Sequence, residues 1–135
     1  QMTNLNSIKK RMVWENCIAH PTVMFRSNVI KSYRYNSQQK NTEDYALWLE
    51  LLADGFLIAK IPEQLLLYRV HTQSITVSFH RKRNSFFINF NTKRKFLQGR
   101  LSRLKFGIFE TKVFITMLHD LLMGIGKEIK NKLKS

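Results

Sequence analysis

The sequence predicts an α/β fold with mixed strands, followed by basic C-terminal helices. Three observations carry this expectation. Tyr45, Trp48, Leu49 and Leu52 repeat at i, i+3, i+4, i+7, the period of one apolar helix face. Short runs rich in β-forming residues, 22–25, 56–61 and 65–70, flank that helix. Charge is also divided unevenly: residues 1–78 hold nine Lys/Arg and six Asp/Glu, whereas residues 79–135 hold fourteen and three. The first part reads as an ordinary folded unit and the second as a basic amphipathic helical tail, with the boundary at 78/79.

Residues 4–14 predict a helix, because Leu5, Ile8 and Met12 recur at helical spacing around Lys9, Lys10 and Arg11. Thr22–Phe25 then predicts a strand, with Pro21 tolerated at its first position. Residues 27–32 suggest a helical turn capped by Ser27. The stretch 34–41 is polar except for Tyr35 and reads as a loop. In the next helix Asn41 or Thr42 is the cap, and Glu43 and Asp44 fill the first turn, where the helix dipole favours anions. Gly55 stands where a left-handed C′ residue would end it. Strands are expected at 56–61 and 65–70 around Pro62-Glu63. Beyond residue 78, Phe86, Phe90, Leu97, Leu101 and Leu104 share one helical stripe among many Lys and Arg. Gly107 is a break, and a last helix runs from near Val113 to Leu133.

The 135 residues are 44% hydrophobic and 12% aromatic, enough for a core. A net charge of +14 and a pI near 10.3 imply an anionic surface or ligand. Cys17 is the single cysteine, so an internal disulfide is impossible, and it reads as a small buried hydrophobe in a reducing compartment. No signal peptide is visible. The longest apolar stretch, 113–126, is interrupted by His119 and Asp120 and is too short to span a bilayer.

Two places have the residue types for chemistry. Glu43-Asp44 is either a dipole-favoured first turn or a general base within reach of a hydroxyl. Tyr68-Arg69-Val70-His71, read as a strand end, puts Arg69 and His71 on one side. They then face solvent, or a diphosphate gripped by the guanidinium with its metal ion on the imidazole. Arg26 faces phosphate or solvent. His20 reads as a packed or turn histidine.

Three segments occur in a fixed order: Asn16-x-x-x-His20-Pro21-Thr22-Val23-Met24-Phe25-Arg26, Glu43-Asp44-Tyr45-x-Leu47-Trp48-Leu49, and, after Gly55, Ile61-Pro62-Glu63-x-Leu65-Leu66-x-Tyr68-Arg69-Val70-His71. Together they resemble the C-terminal half of glycosyltransferase family 2 over residues 13–78. The resemblance implies a partial GT-A, Rossmann-like half that carries the acceptor side of an inverting enzyme. Asp44 matches the catalytic base and Glu43 the residue that helps orient the acceptor. Arg69, His71 and Arg26 would meet the donor diphosphate, and His71 would approach the metal, Mn²⁺ or Mg²⁺. Relatives often carry a basic residue where this chain has Glu50. The Gln-x-x-Arg-Trp motif of processive members is absent, which implies transfer of single sugars.

The implied partners are a nucleotide-sugar donor and a saccharide or lipid-linked acceptor, used in cell-surface polysaccharide or glycolipid synthesis. The expected location is cytoplasmic, peripheral at the inner face of the cell membrane, where the basic tail meets anionic lipid. The family's Asp-x-Asp metal motif is missing, and Asp44, Asp54 and Asp120 are the only aspartates. With its start at Gln1, this suggests a fragment that is inactive alone. The alternative is a non-catalytic membrane-surface or interaction module. Nucleic-acid binding is disfavoured, since residues 80–135 contain no nucleic-acid-binding module signature.

Overall fold

Ile8 and Met12, one helical turn apart, are both buried and form the inner face of α1 (Leu5–Met12). Asn4 caps this helix, its side-chain oxygen accepting the Asn6 N–H at 2.9 Å. The computed structural model describes residues 4–35, 39, 41–67, 69 and 84–134. It divides the chain into two compact units, Gln1–Arg69 and Val70–Ser135. The expected 78/79 boundary lies in 70–83, outside the described residues.

In the first unit a 3₁₀ turn, His20–Thr22, precedes the short α2 (Ser27–Ile30). Ser27 is the first residue of α2 rather than its cap, and Arg26 holds the cap position without a side-chain bond. The central element is α3 (Glu43–Ala53). The expected stripe Tyr45, Trp48, Leu49 and Leu52 is buried, and so are Ala46, Leu47 and Leu51. A helix apolar on nearly every side must be covered on nearly every side. One cover is α1, pinned where the Tyr45 hydroxyl donates to the Met12 carbonyl at 2.9 Å. Trp48 stacks on Phe25, with ring centroids 5.5 Å apart. Cys17 is half-buried and Lys60 donates to its carbonyl at 2.6 Å, while burial pushes the thiol's pKa up.

The end of α3 follows its sequence signal. Gly55 has φ +88°, its N–H reaches the Leu52 carbonyl, and the Phe56 N–H reaches the Leu51 carbonyl at 2.9 Å. These are the paired bonds of a Schellman stop.

The α/β expectation fails. Every regular element among the described residues is helical, with no strand and no sheet. Residues 23–26, 56–61 and 65–67 are irregular, and Leu57, Ile61, Leu65 and Leu67 stand largely exposed. β-forming side chains describe a fit to a pleated surface and cannot build one alone. Among the described residues none of these segments has a neighbour that completes a hydrogen-bonded ladder. The expected partial GT-A, Rossmann-like half is therefore not what the described residues form.

The second unit is a helical hairpin of α4 (Ser85–Ser102) and α5 (Ile108–Lys132). Three cross-links define an antiparallel register. Arg100 Nε donates to Glu110 Oε1 at 2.8 Å, Lys93 Nζ to Asp120 Oδ2 at 2.6 Å, and Asn84 Nδ2 to the Gly124 carbonyl at 3.0 Å. Partners grow further apart in sequence away from the turn, as two strokes of one hairpin require. Gly124 permits the close approach, because a Cβ there would lie 2.7 Å from the Phe87 ring.

Lys93 and Arg100 belong to the cations of the tail that the sequence assigns to contact with anionic lipid, yet both are buried and paired with acids. Burial lowers the Lys93 pKa, against the opposing pull of Asp120. Glu110 also accepts the Gly107 N–H at 3.0 Å, which caps the start of α5 while holding α4. Between the helices, Leu104 adopts φ +55°. Its N–H bonds the Leu101 carbonyl and the Lys105 N–H bonds that of Arg100, both at 2.9 Å. This is a second Schellman stop with leucine in the glycine position, a conformation that costs an L-residue about 1–2 kcal/mol.

Candidate functional site

The first turn of α3 carries Glu43 and Asp44, both half-buried. Asn41, in a left-handed conformation at φ +66°, turns the chain into the helix. Asparagine tolerates that geometry better than most residues. Thr42 holds the N-cap position without a side-chain bond. Asp44 supplies part of what the cap omits, its Oδ1 accepting the Tyr45 N–H at 2.7 Å. Its other oxygen, Oδ2, accepts from Asn16 Nδ2 at 2.9 Å, which ties the helix start to the segment after α1. A carboxylate has about four lone-pair positions, so both oxygens keep capacity for an incoming hydroxyl.

Tyr35 joins this pair from the loop. Its pKa is raised, first by burial and then by the negative charges of Asp44 and Glu43. Its hydroxyl shares a 2.7 Å hydrogen bond with His20 Nε2. The His20 ring meets Tyr35 edge-on at 5.4 Å and lies 6.4 Å from the Trp48 ring. Glu43 Oε2 and Trp48 Nε1 are buried with no hydrogen-bond partner among the described residues. An unsatisfied buried carboxylate oxygen costs stability unless something brought to it donates a proton. The cluster therefore combines two carboxylates, a phenol, an imidazole and an amide at one helix end, with open acceptor capacity.

The other sequence-derived candidates do not join it in the described residues. Arg26 and Arg69 are exposed, and Arg26 contributes its backbone carbonyl, which accepts from the Val29 and Ile30 N–H groups at the start of α2. Arg69 is not in a strand, so the same-side argument for it and His71 loses its basis. His71 lies outside the described residues. Among those residues no three His, Cys, Asp or Glu side chains converge on a metal position. The described residues alone therefore do not make up the metal site that the resemblance implies, whose His71 lies outside them.

Reading the sequence missed Asn16, His20 and Tyr35 as neighbours of the acidic pair. A signal existed for Tyr35: it is the one aromatic residue in an otherwise polar loop. Asn16 and His20 open the first of the three ordered segments.

No family model matches the chain, and no solved structure matches it. Two curated proteins do. The O-antigen biosynthesis glycosyltransferase WbnJ of Escherichia coli is 42% identical over 73 residues, which is 53% of this chain and 29% of that protein. An uncharacterized glycosyltransferase of Methanocaldococcus jannaschii is 32% identical over 63 residues, 47% of this chain and 22% of that protein. The chain thus spans under a third of the length of the curated relatives it matches. Over about half its own length it is related to part of two proteins named as glycosyltransferases.

Proposed function

Proceeding from those relatives, we propose that this chain carries the base-bearing part of an inverting, family-2-type glycosyltransferase. The observation that carries the reading is Asp44 at the start of α3, half-buried and held by Asn16, beside Tyr35 and Glu43. An acceptor hydroxyl donates to Asp44. As its proton passes to that carboxylate, the oxygen attacks the anomeric carbon of a nucleotide sugar. The bond from that carbon to the diphosphate breaks on the opposite side, so configuration inverts and the nucleoside diphosphate leaves. Asn16 fixes one oxygen of the base. Glu43, with its unpartnered Oε2, accepts a second acceptor hydroxyl and orients the sugar. Tyr35 and His20, bonded to each other, form a polar wall beside the pair.

The relative from Escherichia coli is named for O-antigen biosynthesis, which supports a saccharide or lipid-linked acceptor and a role in cell-surface polysaccharide synthesis. The donor diphosphate and any Mn²⁺ or Mg²⁺ would be held by residues beyond those described here.

Base assistance of this kind contributes roughly 10²–10⁴-fold. Asp44→Asn in the complete enzyme keeps the side chain's size and loses its basicity. Turnover should fall by about that factor while nucleotide-sugar binding, measured by calorimetry, stays unchanged. Near-normal turnover would remove Asp44 from the role.

A further inference from the structure

The helical hairpin shows solvent an apolar stripe that its own packing leaves uncovered. Ile108, Ile115, Leu122 and Ile129 follow one another at seven-residue intervals along α5, each between 55% and 79% exposed. The opposite face of α5, with Val113, Met117 and Asp120, is the one buried within the hairpin. In the turn before α5, Leu104 and Phe106 are exposed as well, at 92% and 51%. Leu104 is also the left-handed residue of the Schellman stop. A strained backbone that displays an exposed leucine where glycine would fit without strain points to use outside the fold.

Charge identifies what covers this face. Residues 79–135 contain three carboxylate side chains. Glu110 and Asp120 are buried in ion pairs with Arg100 and Lys93, and Glu128 is half-buried against Asn84. The exposed side-chain charge among the described hairpin residues is therefore predominantly basic, with Arg103, Lys105 and Lys112 at the turn and Lys127, Lys130 and Lys132 near the far end. Two copies of such a face repel one another, whereas an anionic surface attracts it. Among the described residues no helix is long and apolar enough to cross a membrane, whereas a helix with one apolar and one basic face can lie in the plane of a membrane.

We propose that the hairpin docks on an anionic lipid bilayer, with Leu104, Phe106 and the outer stripe of α5 entering the headgroup region and the flanking cations meeting lipid phosphates. This goes beyond the transfer chemistry and does not depend on it.

Sedimentation of the full chain with phosphatidylcholine vesicles, with and without phosphatidylglycerol, tests the proposal. Binding is expected only with the anionic lipid and should weaken as salt is raised. Leu104→Gly combined with Phe106→Ser keeps the turn geometry and should weaken partitioning at least about tenfold. Ile115→Gln with Leu122→Gln should do the same, and circular dichroism verifies that both variants stay helical. Three outcomes would overturn the proposal: no binding, equal binding to neutral vesicles, or full binding by both folded variants. A dimer that is lost in Ile115→Gln/Leu122→Gln, without vesicle binding, assigns the face to a second copy instead.

Discussion

Tyr35 is a built-in reporter of the charge around Asp44. Its hydroxyl is partly removed from water and faces two carboxylates, and both effects disfavour the phenolate. An ordinary tyrosine titrates near about 10, and Tyr35 should hold its proton above that value. The sign for stability follows. Above the ordinary value the unfolded chain releases this proton before the folded one does, so Tyr35's contribution is whole below about 10 and is lost as pH climbs through the raised folded value. Tyrosine absorbance titrated against pH, with Tyr35→Phe subtracted, isolates the group. In Asp44→Asn the titration should move part of the way back, because burial, the larger cause, remains. A Tyr35 that titrates normally in the folded protein would mean that the phenol does not face these carboxylates, and the cluster would lose a member. At this scale the acidic pair was legible in the sequence, since two adjacent carboxylates before an apolar helix announce a first turn. Its neighbours were not legible, because Asn16, His20 and Tyr35 are brought to it by contacts between residues 15 to 28 positions apart in the chain.

Among the elements, the two ends of α3 and the stripe of α1 follow local rules that a sequence displays. Gly55 is the clearest case, a glycine at a helix stop that demands positive φ. The expected strands depended on something no local rule contains, a partner for their backbone groups. The stripe of α4 misleads for a different reason. Periodicity cannot separate a solvated lysine from one that meets an aspartate on the next helix, although Asp120 inside the apolar run of α5 was the available hint. The Lys93–Asp120 pair therefore carries a prediction of its own. Removing one partner, as Lys93→Met or Asp120→Leu, leaves a buried charge without its counter-ion and should cost about 3–5 kcal/mol. Both substitutions together should cost far less, since packed apolar groups avoid the desolvation of two ions. Denaturant unfolding of the four proteins gives the coupling directly. Near-additive losses would show that the pair is not closed in the folded chain.

For the whole molecule, one consideration joins charge to the extent of the relatives. The carboxylates of the first unit gather partly at a site, and two of the three in the second are consumed in buried pairs inside the hairpin, and of the net +14, residues 79–135 carry +11. This balance suits attraction to an anionic surface, but it does not by itself make a donor site. A nucleotide sugar needs its diphosphate charge met by several converging groups, and here Arg26 and Arg69 stand exposed. The sequence has no Asp-x-Asp, and the chain covers 29% and 22% of its two relatives. The isolated chain should therefore show no tight binding when titrated with a panel of nucleotide sugars in the presence of Mn²⁺. Any heat that appears should be weak, alike for every base and sugar, and abolished by salt, because only diffuse attraction to the basic tail produces it. Tight, base-selective binding that survives salt would place a complete donor pocket within these residues. The division of labour proposed here, with the base on this chain and the donor held elsewhere, would then be wrong even if Asp44 kept its role.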